Sequence, residues 1–156
     1  MVSKSLAHLQ TLTEKLNQKD KEVKISESRL KLALKAANVG MWHWCHNKDE
    51  LIWDRRMFEI FRPDLLNEVN PDTWRGTYND FSECIHKDDL DKANEIVYHC
   101  LNNGDYYNAT HRIVHKNGDI KYVKMLGQAL DKGLECGSNM CMTGVCIDVT
   151  NEVTNA

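Results

Sequence analysis

The residues best equipped for chemistry are six cysteines and seven histidines. Cys45, Cys84, Cys100, Cys136, Cys141 and Cys146 include no C-x-x-C pair, so the usual zinc and redox spacings are absent. An even cysteine count would suit disulfides in a secreted chain, but the opening MVSKSLAHLQ lacks the apolar core of a signal peptide. Reduced, buried or half-buried thiols are the expectation, and a thiol or metal redox site on Cys136, Cys141 and Cys146 is the rival. Among the histidines, His8 falls on a helix, and His43 and His46 cannot both point inward with Trp42. His86 stands at a helix start and His99 on a long helix. His111 is next to Arg112 in a strand and so points the opposite way, which makes it a candidate pocket wall. Asp88 and Asp89 are adjacent carboxylates at a helix start, where they favour the helix dipole. No G-x-S-x-G, H-E-x-x-H, P-loop or G-x-G-x-x-G string occurs, so no catalytic set is read and any activity would lie in an attached output domain.

The elements that position these residues follow from periodicity. Val2–Asn38 contains no Gly and no Pro, and Val2, Leu9, Leu16, Val23, Leu30 and Ala37 recur every seven residues. Leu12 and Ala33 extend the seam while Lys19 and Ser26 interrupt it. A long helix with a dimeric coiled-coil seam is expected, its last turns (Leu30, Leu34, Ala37) also touching the domain and Gly40 ending it. Met41–Cys45 and Leu51–Asp54 read as short strands around a polar turn, with Trp42 and Trp44 on one face and Met41, His43 and Cys45 on the other. Arg55–Phe61 has helical spacing, Arg62–Pro71 is loop, and Asp72–Cys84 looks helical with Asp72 or Thr73 as N-cap. His86–Asp89 then caps the helix Leu90–Leu101, which Asn102-Asn103-Gly104 stops. Tyr107–His115 and Ile120–Leu130 form a hairpin around Asn117-Gly118, read as a type I′ turn with both residues at positive φ. Gly133–Ser138 is a looser turn before the third β-rich run, Met140–Val149. The sum is an α+β domain with a five-stranded antiparallel sheet and short helices on one face.

Four strings carry a family resemblance. HRIVHKNGDIKYV resembles the central hairpin of PAS domains, GVCIDVT their closing strand, GMWHWCHNKDELIWD their opening strand pair, and CIHKDDLDK the segment before their long helix. The resemblance covers roughly Leu30–Glu152, which implies an N-terminal signalling helix at 1–29, a PAS sensor domain at 30–152 and the start of a linker at 153–156. It implies a cavity lined or bordered by Trp42, Trp44, Trp53, Met57, Phe61, Trp74, His111, Tyr122, Gly144 and Cys146. Gly144 also has a physical reason to matter: a missing side chain leaves room over the sheet. Arg112, Asp148 and Thr150 match the family's signal exit, with Arg112 as the expected partner of Asp148. Some haem-binding relatives place an axial ligand on the helix that carries His99. The flavin photoreceptors carry an N-C-R-F-L-Q type string, and Cys84 sits instead in SECIHK. No cofactor is expected, while an unknown small molecule remains open.

The family therefore implies a sensory module that senses a small ligand and relays it to a histidine kinase or diguanylate cyclase type output domain. The alternatives are a ligand-free dimerisation spacer and the thiol or metal redox sensor. A net charge of −3 argues against a nucleic-acid partner. No apolar run approaches the ~20 residues that span a bilayer, so no membrane contact by this segment and a cytoplasmic location are expected. A homodimer through the N-terminal helix completes the reading.

Overall fold

A run of 36 residues without Gly or Pro does what its composition dictates: helix α1 extends unbroken from Val2 to Ala37, about 54 Å at 1.5 Å per residue. In this computed structural model, which describes residues 2–130 and 140–154 and of Val2 only the backbone, the chain divides into two units. One is Met1–Ala37 and the other Asn38–Ala156. Within α1, the hydroxyls of Thr11 and Thr13 donate to the carbonyls of Ala7 and Leu9, and Asp20 pairs with Lys24 one turn on at 3.3 Å. Leu9, Leu16, Val23 and Leu30 are each more than half exposed. The helix stops at Asn38, whose φ of 59° is the left-handed conformation of a helix C-terminus. Asparagine thus does what Gly40 was expected to do. Gly40 instead opens the first strand, where a Cβ would meet the Met57 Sδ at 2.7 Å.

The second unit holds one antiparallel sheet. Its strands are β1 (Gly40–Cys45), β2 (Glu50–Trp53), β3 (Tyr107–Val114), β4 (Ile120–Leu130) and β5 (Cys141–Asp148), in the order β2-β1-β5-β4-β3. Between β2 and β3 come α2 (Arg55–Phe61), a 3₁₀ turn (Pro63–Leu65), α3 (Tyr78–Ser82) and α4 (Leu90–Asn103); α5 (Thr150–Thr154) follows β5. Asp54 starts α2 by accepting the Met57 amide at 2.9 Å. Gly104, with φ of 71°, ends α4.

Two local expectations fail for tertiary reasons. The helix read over Asp72–Cys84 shrinks to Tyr78–Ser82, because Gly76 exchanges both backbone hydrogen bonds with Leu51 of β2 (2.8 and 2.9 Å) and cannot be helical. Thr77 and Asp80 then form a capping box for the short helix. At the β3–β4 hairpin only Gly118 has positive φ, 95°. The loop closes through Gly118 N–H to His115 O at 2.9 Å and His115 N–H to Asp119 O at 2.8 Å. Hence it is a longer loop with glycine in the unusual conformation, and the I′ turn is not formed. The turn read over Gly133–Ser138 lies outside the described residues.

A short segment bridges to each edge strand of the sheet. Gly76 covers β2. Along β3, Val114 N–H donates to Cys84 O and His86 N–H to Arg112 O, both at 2.9 Å. The edge groups of Leu51, Arg112 and Val114, which could otherwise invite another strand, are thereby occupied. The core lies between the sheet and the helices: Trp53, Met57, Phe58, Phe61, Cys100, Tyr107, Ile113 and Val123 are almost wholly buried.

Candidate functional site

Strand alternation decides what faces the core. Trp42 and Trp44 of β1, Trp53 of β2, Tyr107 of β3, Met125 of β4 and Met142 of β5 all point inward, and with Tyr78, Phe81 and Val97 they enclose an apolar cavity of about 30 Å³. That is about the volume one water occupies in the liquid, and roughly tenfold below the several hundred Å³ of ordinary ligand pockets.

The reason is the indole of Trp42. Gly144 faces Trp42 across β1–β5 and Gly127 across β4–β5, so the two glycines form a bare floor. A Cβ on Gly127 would stand 2.5 Å from Trp42 Cζ2, and one on Gly144 2.4 Å from the same atom and 2.1 Å from Leu126 O. The room expected over Gly144 is therefore present, and Trp42 lies in it. Its Nε1–H donates to Val145 O at 3.2 Å, which fixes the ring in place.

The other expected wall residues fall into three groups. Met57, Phe61 and Cys146 are buried behind the cavity wall. Trp74 stacks on Trp53 at 5.3 Å from outside the cavity. Tyr122 pairs with Arg112 across β3–β4 and so faces away from the core, one residue out of phase with inward Val123. His111 is buried, its Nε2 2.6 Å from the Tyr107 hydroxyl. Among the described residues its Nδ1 has no hydrogen-bond partner. Burial lowers the His111 pKa, Lys92 adds to the effect, and Asp89 opposes it. Burial likewise pushes the Tyr107 phenol up. Tyr107 was missed in the sequence, although its i+4 spacing from His111 puts both on one strand face.

The three residues expected at a signal exit are paired differently from the expectation. Arg112 does not meet Asp148; it grips Asp89, with Nε to Oδ2 at 3.0 Å and Nη2 to Oδ1 at 2.8 Å, while the Arg112 amide donates to Oδ2 at 2.8 Å. Two parallel hydrogen bonds from one guanidinium are the strong arrangement. Hydrogen bonding to Arg112 holds the Asp89 carboxyl well below the usual range, at about 2. Asp89 sits at the start of α4 but makes no cap hydrogen bond, its carboxylate being taken by β3. Asp148 pairs with Val123 in register, on the other face from Arg112. It accepts instead from the Thr150 hydroxyl (2.6 Å) and amide (3.0 Å). The Tyr122 amide in turn donates to the Thr150 hydroxyl at 3.0 Å.

The cysteines divide. Cys84, Cys100 and Cys146 are free and buried; burial raises the Cys84 thiol to about 11 and pushes Cys146 higher still. Cys45 and Cys141 are not isolated thiols, since their sulfurs lie 2.8 Å apart. Cys146 is five residues along β5 from Cys141, on the opposite face, so those two do not share a site. Cys136 lies outside the described residues. His99 is exposed on α4 beside Glu95, away from the cavity. His86 Nδ1 accepts the Asp88 amide at 3.1 Å, a helix-start role.

Comparison with known proteins agrees with this architecture. Over 138 residues, 85% of this chain, it is 30% identical to the probable diguanylate cyclase DgcE of Escherichia coli (strain K12), but spans only 11% of that protein's length. A sensory box histidine kinase/response regulator from Burkholderia thailandensis E264 superposes with a TM-score of 0.63 at 23% identity, over 81% of this chain and 88% of that one. The N-terminal domain of a diguanylate cyclase with PAS/PAC sensor from Marinobacter aquaeolei does so with 0.57 at 14% identity, over 74% and 98%. No helix among the described residues is long and apolar enough to cross a membrane. A sequence model of the PAS fold matches residues 66–145, and with the five-stranded sheet and its helices this establishes that the chain belongs to the PAS family as a sensory domain.

Proposed function

We propose that this domain receives a signal in its core and passes it through Asp148 and Thr150 to a catalytic output module of the diguanylate cyclase or histidine kinase kind, in the cytoplasm. The observation that carries the reading is the bonded exit. Asp148 holds Thr150, and Thr150 holds the backbone of β4 at Tyr122. Met125 and Gly127 of the same strand stand at the cavity wall and under Trp42. A shift of β4 over the core therefore moves the first turn of α5. The similarity to a cyclase and a kinase supports the type of output.

A core ligand would be apolar and of a few heavy atoms, or would displace Trp42 from the glycine floor. Trp42, Trp44, Trp53 and Gly144 would contact it, with Met57, Phe61, His111 and Cys146 behind them. The test is output activity, with and without ligand, of a chain joining this domain to its enzyme. Asp148→Ala should abolish the response while lowering the stability of the isolated domain only modestly, by about 1 kcal/mol for the lost hydrogen bonds. Normal switching in the variant would refute the exit role.

The small cavity favours a second reading, a filled-core dimerisation spacer. The exposed seam Leu9, Leu16, Val23 and Leu30 fits a second copy of α1. Deleting Met1–Ser28 should then convert a dimer to a folded monomer in sedimentation. A truncated protein that remains dimeric would move the interface elsewhere.

A further inference from the structure

The outer face of the central strands carries a side-chain cluster that the core reading does not use. Trp42 and Trp44 point inward, which puts His43 and Cys45 on the opposite face. Cys45 faces Cys141 directly in the β1–β5 register. The His46 amide donates to Met140 O at 2.9 Å, so the ladder hydrogen bonds belong to the neighbouring pair. Cys45 and Cys141 are thus a non-hydrogen-bonded pair, in which facing Cα atoms are only ~4.5 Å apart. That spacing lies within the range a disulfide spans. His43 Nε2 is 3.5 Å from Cys45 Sγ, and the donor atoms of His43, Cys45 and Cys141 all lie within 4.8 Å of one another. Both cysteines are buried, while His43 is half-buried and borders an open depression of about 550 Å³ with Met41, Ile52 and Thr143.

We propose that this cluster is a two-electron oxidation site at which a hydroperoxide converts the Cys45–Cys141 thiol pair to a cross-strand disulfide, with His43 as the positioning residue that accepts the thiol proton. His43 takes the proton of Cys45, and an imidazolium beside a thiolate stabilises it. The Cys45 thiolate attacks one peroxide oxygen; the O–O bond breaks, a sulfenic acid forms, and the departing hydroxide takes the proton from His43 and leaves as water. The Cys141 thiol then attacks the Cys45 sulfur, the S–O bond breaks, and a second water leaves. In sum two thiols and one hydrogen peroxide give one disulfide and two waters. A dithiol reductant reverses the step by thiol–disulfide exchange. The disulfide would fix β1 to the start of β5 on the face away from the cavity, so this input is separate from any core ligand.

The experiment uses the full chain, fully reduced, desalted without air and titrated with hydrogen peroxide. An intact-mass loss of two hydrogens, with peptide mapping that links Cys45 to Cys141 and reversal by dithiothreitol, is the expected result and needs no variant. Cys141→Ser should leave a dimedone-reactive sulfenic acid at Cys45. His43→Gln should slow oxidation at pH 7 by about tenfold or more and move the pH–rate midpoint toward that of an ordinary thiol, ~8.5. No linked peptide, a link between other cysteines, or one equivalent of bound zinc that protects both thiols from peroxide would overturn the proposal. An unchanged rate and pH profile in His43→Gln would overturn the role of His43.

Discussion

The two faces of the same sheet solve opposite problems. On the inner face, side chains have been removed to make room, at Gly127 and Gly144, and a neighbouring tryptophan has taken the room back. What is left is apolar and about 30 Å³. On the outer face the hollow beside His43 is an open depression and not an enclosed cavity. Polar and nucleophilic groups instead meet side by side: His43 with Cys45 and Cys141 at one end, and Tyr122 with Arg112, in turn clasped by Asp89, at the other. Burial makes the inner face sensitive to volume, because a packed interior feels single methylenes. The chemistry of its side chains, thiols and an ion pair, makes the outer face sensitive to oxidants, acid and salt. A sensory domain with both can be addressed in two ways, and each perturbation should be felt mainly on one face.

The strongest way to test the division is to disturb the inner packing. Trp42→Ala should cost about 3–5 kcal/mol, as truncation of a buried aromatic does. Gly127→Ala should cost about 1–3 kcal/mol by overpacking, because its new methyl meets Trp42 first. The two changes share a cause, so the double variant should lose clearly less than the sum of the singles in denaturant unfolding. Gly144→Ala is the control: its methyl would stand 2.1 Å from Leu126 O, against 2.9 Å from Thr143 O at Gly127, and backbone cannot rotate away. Removing Trp42 should therefore rescue Gly127→Ala more than Gly144→Ala. Simple additivity at Gly127 would mean that the indole does not occupy the floor.

The difference between the faces also marks what the sequence could disclose. The five strands, α2, α4 and the inward set Trp42, Trp44 and Trp53 follow from alternation and spacing, which are local. Long α1 follows from the absence of breakers. The failures are all matters of register between distant segments. Gly76 meets Leu51 and so shortens a helix; Asp89 rather than Asp148 reaches Arg112; Tyr122 lands one residue out of phase with the cavity. Cys45 and Cys141 are 96 positions apart and become neighbours only when β1 and β5 pair. The glycine floor was half visible: Gly144 announced a space, but which side chain would occupy it depended on the β1–β5 alignment.

A smaller effect should come from the imidazole that the inner face buries. Burial lowers the pKa of His111 below the ordinary 6.5, favouring its neutral form in the folded protein. The unfolded chain therefore binds the proton more readily, and stability is complete above about pH 6.5 and falls as pH drops toward the lowered folded value. His111→Gln should flatten the stability profile over that interval while keeping a hydrogen-bonding group opposite Tyr107. The measurement is the denaturation midpoint between pH 7 and 5 for both proteins. Parallel profiles would show that His111 does not set the slope.

The smallest effect at neutral pH should be on the outer face, at Asp89. Its side chain is half-buried, 20% exposed against 34% for Arg112, and hydrogen bonds from Arg112 hold its pKa at about 2, against 3.8 for an ordinary aspartate, a gain that solvent screening at this rim reduces. A depressed folded pKa means that the contribution is present above the unfolded value and is lost as pH falls through the folded one. The loss should therefore appear between about pH 4 and pH 2, well below the His111 interval, and should shrink in high salt. Asp89→Asn keeps the shape and one acceptor for the Arg112 amide but cannot ionise. It should unfold at nearly the wild-type midpoint at pH 7, and the gap between the two proteins should narrow on acidification, because the wild type loses there what the variant never had. A gap that stays constant from pH 5 to pH 2 would show that Asp89 acts through shape and β3-edge hydrogen bonding alone.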